Sequence, residues 1–149
     1  RVRRYTARGR SRSGIVTTGT ASTRAGQTNS KTSARTGSNT VAYPLGGIVV
    51  ARDPFGAGGE RPYLLVSNET HPFHGEEYVA AVVTTTDRDR AVVLADDVFT
   101  AGSLSRRSVV SPWNPVTLKD EFIDTHVATV TGGIVDEVVT ELCSYVGTR

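Results

Sequence analysis

The 149-residue sequence has one cysteine, no methionine and no long apolar run. Cys143 alone cannot form an internal disulfide, and nothing demands an oxidising compartment. No stretch approaches the ~18–20 apolar residues needed to cross a bilayer as a helix. The N-terminal residues lack an apolar core followed by a small-residue cleavage site, so they do not read as a secretory signal. Also missing are a GxxxxGK[ST] phosphate loop, a GxGxxG turn after a strand, a GxSxG elbow and any CxxC pair. The expectation left standing is a cytoplasmic protein, soluble and without a membrane association, with one folded domain.

Acidic residues are absent from residues 1–40, which hold nine Lys and Arg, 20 Gly, Ser or Thr, and only eight apolar residues. Such a segment buries too little surface to offset its ordering entropy. Residues 1–43 are therefore expected to be a disordered basic tail, and residues 44–149 the folded domain. A basic arm of this kind either binds nucleic acid or another anionic surface, or has no specific partner. Residues 41–149 carry the other eight basic residues and all 15 acids, a net of −7, so the formal +2 of the whole chain describes neither part. Lys119 is the sole lysine there, beside seven arginines. An acidic, lysine-poor body suits high salt but is also ordinary at this size.

Within the body, short apolar runs bounded by Gly, Pro and charged residues predict strands. They fall at Ile48–Val50, over PYLLVSN to Asn68, at Tyr78–Thr84, at Ala91–Leu94, from Ser108 until Pro112 and Pro115 stop it, and less regularly at His126–Thr131. The loops between them include GAGG at 56–59, HPFHG at 71–75 and DRDR at 87–90. The end of the chain changes period. Ile134, Val135, Val138, Val139, Leu142, Cys143 and Val146 form one stripe on a helix, with Asp136 and Glu137 expected in its first turn and Cys143 buried. Several short strands and a C-terminal helix predict a mainly β fold, a small and strongly bent sheet or barrel.

Few residues suggest chemistry by themselves. His71 and His74 lie in a Pro-containing loop and His126 is distant in sequence, so loop histidines are expected and no metal site or cofactor. Arg61 before Pro62 can pair with an acid such as Glu60, and Thr84–Thr86 are good strand formers. Trp113, between two prolines, can stack a nucleic-acid base or fill a core.

The order of features is more specific. GGIVVARDPF opens the body, Arg61-Pro62 begins the second strand, VVTTT closes the third, and SVVSPW follows. Over about residues 46–146 this resembles the MazF/PemK toxins of toxin–antitoxin pairs. The resemblance implies an SH3-like β-barrel (MazF/CcdB-like) with a C-terminal α-helix, acting as a homodimer. It implies a metal-independent, sequence-specific endoribonuclease that cuts single-stranded RNA, often mRNA, and is inhibited by a cognate antitoxin. Arg61 and Thr84 match the family's catalytic Arg and Thr, and Ser108 is the nearest match to a third polar position.

Those residue types suit the reaction. RNA carries its own nucleophile, the 2′-OH. A guanidinium can grip two phosphate oxygens and stabilise charge on the phosphorane, while being a poor proton donor itself. A threonine hydroxyl can bond the phosphate or orient the 2′-OH. His74 is a candidate local base. Arg88, Arg90, Arg106 and Arg107, in or beside loops, are expected to contact RNA outside the scissile phosphate, as is Trp113 if it stacks a base. The alternative is a non-catalytic toxin-like protein on the same barrel, either a gyrase inhibitor of the CcdB kind or an RNA-binding regulator.

Overall fold

The runs at 48–50 and 80–83 are apolar without interruption because both faces of the strands they form are covered. The computed structural model describes residues 41–56 and 58–147, so the expected tail at 1–40 lies outside the described residues. Seven strands follow in order: β1 (Gly47–Arg52), β2 (Glu60–Leu65), β3 (Glu77–Thr84), β4 (Val92–Leu94), β5 (Phe99–Gly102), β6 (Ser108–Lys119) and β7 (Ile123–Val130). One helix, α1 (Gly132–Tyr145), closes the fold. The strands form a single sheet in the order β4-β6-β3-β2-β1-β7-β5, with every pair antiparallel. The sheet curls into a nearly closed barrel.

Alternation along each strand divides the apolar residues between two cores. Ile48, Leu64, Ala81, Val83 and Val110 face α1 and pack on its Ile134, Val135 and Val138. Their neighbours Val49, Ala51, Tyr63, Leu65, Ala80 and Val82 face the other way, with Tyr78, Val116 and Leu118. Tyr43, assigned to the tail from sequence, packs against this second cluster, and its N–H donates to the Tyr78 hydroxyl at 3.1 Å.

Three expectations need correction. Pro112 and Pro115 do not stop β6, which runs on to Lys119. Val82 pairs with Ser111 and Ala81 with Pro115, so Pro112, Trp113 and Asn114 bulge out of the ladder. A bulge is where a strand tolerates prolines, because no ladder N–H is required there. The helix begins at Gly132, which puts Asp136 and Glu137 beyond its first turn. Cys143 is exposed, since α1 buries only its N-terminal half on the sheet.

The sequence reading also missed β5. Its four residues FTAG include no apolar run, and it is held by pairing to the edge of β7. Gly102 is obligatory there: its φ is +66°, and an added Cβ would lie 2.1 Å from the Val127 carbonyl oxygen.

Candidate active site

β2 and β3 position the two residues of greatest chemical interest. Their ladder pairs Tyr63 with Val82, Leu64 with Ala81 and Leu65 with Ala80. Continuing that register two residues past Tyr63 sets Arg61 opposite Thr84. Both lie two residues along from members of the same core cluster, Tyr63 and Val82, and so point to the same face of the sheet. They border one cleft of about 520 Å³ at the end of the barrel, walled by Pro62, Thr85, Thr86, Arg88, Ser111 and Trp113 among others.

Arg61 is half exposed, and Asp53 behind it is almost completely buried, with 6% of its side chain accessible. The guanidinium Nη2 stands 3.6 Å from Asp53 Oδ2, an ion pair longer than a hydrogen bond. Asp53 is itself fixed by the Phe55 N–H, which donates to its Oδ1 at 2.9 Å. Glu60, the acid next to Arg61 in sequence, is not its ion-pair partner; Asp53 is. This arrangement orients the guanidinium and leaves donors free toward the cleft.

Thr84 Oγ1 accepts the Thr86 N–H at 3.2 Å. With an acceptor site of the hydroxyl occupied, its own proton is available to a group in the cleft. Two residues along β2 from Arg61, the Tyr63 hydroxyl is buried and has no hydrogen-bond partner. Burial first, and the Asp53 charge second, push that phenol above its ordinary pKa.

The structure gathers Arg61, Thr84, Ser108, Arg88 and Trp113 around one cleft. Ser108 is buried, and its hydroxyl donates to the Arg106 carbonyl at 2.9 Å. Ser111 was missed. It pairs with Val82 across β3 and β6, which turns its side chain to the face shared by Arg61 and Thr84. Ser108 and Ser111 are three apart, so strand alternation gives them opposite faces. That parity is readable in sequence, but which of the two faces shares the cleft with Arg61 and Thr84 follows only from the pairing of Ser111 with Val82. Trp113 is 39% exposed and lies in the bulge, so it is not a core aromatic.

Other candidates lie elsewhere. Arg90 is bound to the end of α1, with Glu141 as its ion-pair partner. Arg106 and Arg107 border a separate cleft with Leu94 and Asp96. His74 lines a third cleft with Tyr43 and Asn68, away from Arg61 and Thr84, and is not placed to serve as a base there. Among the described residues no group of three or more His, Cys, Asp and Glu could hold a metal ion, and no helix is long and apolar enough to cross a membrane.

No protein-family model and no curated protein matches the chain. Solved structures do. One is an endoribonuclease in complex with its cognate antitoxin from a mycobacterial species, at TM-score 0.57 and 24% identity, covering 73% of this chain and 97% of that one. A second is the MazE–MazF complex (Form III) of Deinococcus radiodurans, at TM-score 0.58 and 21% identity, covering 72% and 99%. A third is the Mycobacterium tuberculosis toxin MazF-mt6, at TM-score 0.52 and 23% identity, covering 66% and 93%. With a matching barrel and C-terminal helix across almost the whole of each of these neighbours, the chain has the MazF fold.

Proposed function

We propose that this protein is a MazF-like toxin, a sequence-specific endoribonuclease that cleaves single-stranded RNA without a metal ion. The observation that carries the reading is that Arg61 of β2 and Thr84 of β3 line one open cleft. The solved relatives with this fold include endoribonucleases and complexes with antitoxins.

The reaction follows from the groups present. A phosphodiester of the RNA enters the cleft and its oxygens meet Arg61. The neighbouring 2′-OH attacks phosphorus and loses its proton, the P–O5′ bond breaks, and the departing 5′ oxygen takes up a proton. The products are a 2′,3′-cyclic phosphate and a 5′-OH end. Arg61, aimed by Asp53, stabilises the charge that grows on the phosphorane. Thr84 donates a hydrogen bond from its hydroxyl to a phosphate oxygen, keeping its proton, and Ser111 lies on the same face as a further donor. Arg88 holds the backbone beside the scissile phosphate, Trp113 offers a face for a base, and Arg106 and Arg107 contact the RNA farther along. The enzyme acts as a homodimer, and a cognate antitoxin blocks it by occupying the groove that RNA uses.

The full chain, free of antitoxin, is incubated with a long mixed-sequence RNA in EDTA and the new 5′-OH ends are mapped. Ends at one recurrent short sequence are expected. Intact RNA with folded protein would shift the reading to a binding protein, with gyrase inhibition the next assay.

A further inference from the structure

Arg90 stands outside the cleft, and its unusual conformation calls for a reason. It lies in the connection between β3 and β4 with φ of +68°, the sole non-glycine residue at positive φ among those described. An L side chain costs free energy in that region, and such residues persist where surrounding contacts hold them. A turn closed by the Ala91 N–H, which donates to the Arg88 carbonyl at 3.1 Å, places Arg90 at its third position, and the side-chain contacts come from the C-terminal end of α1. The guanidinium pairs with the Glu141 carboxylate, donates to Ser144 Oγ at 3.1 Å and lies 4.8 Å over the Tyr145 ring. The Tyr145 hydroxyl donates to the same carboxylate at 2.5 Å. Tyr145 first, and Arg90 with it, hold the Glu141 carboxyl below the ordinary glutamate range.

Apart from its own turn, the connection's other side-chain tether is a long, exposed ion pair, Asp87 with Arg107 at 3.9 Å, which holds it weakly. Residues 85–90 are all exposed, so no buried side chain anchors them. Yet Thr85, Thr86 and Arg88 form a wall of the Arg61–Thr84 cleft. Arg88 and Trp113 also line the shallow cleft that contains Arg90 and Tyr145, so the two clefts meet at these residues.

We propose that Arg90 is a positioning residue: by latching the 85–90 connection to the last turn of α1, it fixes Arg88 and the cleft wall for substrate, and it does not itself contact RNA. The activity part of this proposal rests on the nuclease reading; the structural part does not.

Two variants break the latch from opposite sides. Arg90→Gly removes the side chain while suiting the positive φ, so the fold is expected to survive. Glu141→Ala removes the helix partner and keeps a good helix former. Both are expected to raise KM for RNA about five- to tenfold with kcat within about twofold. Both should also speed amide hydrogen exchange at residues 85–91 and shift the emission of Trp113, the single tryptophan.

If Arg90 instead binds RNA directly, Glu141→Ala removes a negative charge and leaves KM unchanged or lower, which overturns the proposal. Unchanged exchange and emission in both variants overturn the latch itself. Faster exchange with unaltered KM overturns its positioning role. Should the parent chain cut no RNA, exchange and emission still decide the latch, while the nuclease reading falls separately.

Discussion

Asp53, Arg61 and Tyr63 show how much of a site depends on groups that no motif advertises. Asp53 reads in sequence as the polar exit of a strand, yet it is the buried carboxylate that aims Arg61. Tyr63 reads as one more apolar strand residue, yet it leaves a hydroxyl buried without a partner. A buried unpaired hydroxyl costs free energy that its removal recovers. Tyr63→Phe is therefore expected to leave stability unchanged or raise it by about 1 kcal/mol, measured by denaturant unfolding. A loss of more than about 1 kcal/mol would mean that the hydroxyl is hydrogen-bonded. Arg61 and Thr84 are candidates through the resemblance alone, and the structure adds that both border one cleft. Ser111 was not legible, because only the pairing with Val82 shows which face of the strand the cleft lies on.

At the scale of elements, the central strands were legible and the irregular ones were not. β1, β3 and the core of β2 are continuous apolar runs covered on both faces, a pattern with few alternatives once turn residues bound it. Pro112 and Pro115 ordinarily end a strand, and only the pairing shows that Pro112 lies in a bulge of β6 while Pro115 rejoins the ladder opposite Ala81. β5 carries no pattern of its own and exists by pairing with β7. Its dependence on Gly102 gives a test. Gly102→Ala would place a methyl group against the Val127 carbonyl at a positive φ. It is expected to cost about 2–4 kcal/mol and lower Tm without changing the residues of the cleft. An unaltered Tm would show that the β5–β7 edge can part at little cost. The helix illustrates the limit of a periodic reading: the stripe from Ile134 to Val146 is real, but this chain's own sheet covers only its first half.

For the molecule as a whole, net charge is a poor guide to the proposed work. The residues from 41 onward sum to −7, yet the cleft brings Arg61 and Arg88 together and has Glu60 as its single acidic lining residue. The barrel achieves this by bringing parts of β2, β3 and β6 to one place, so that residues as far apart in sequence as Glu60 and Asn114 wall one cleft. The fold is shared with MazF structures at 20–24% identity, which leaves the chemistry to be decided at Arg61 and Thr84 themselves. The decisive measurement is single-turnover cleavage of one RNA in EDTA by the parent chain, Arg61→Ala and Thr84→Ala, with folding of each verified by thermal melting. The account predicts cleavage by the parent and a loss of about 100- to 1,000-fold in each variant, the usual effect of removing a donor that stabilises transition-state charge. Cleavage by both variants within a few-fold of the parent would contradict it and place the reaction elsewhere in the molecule.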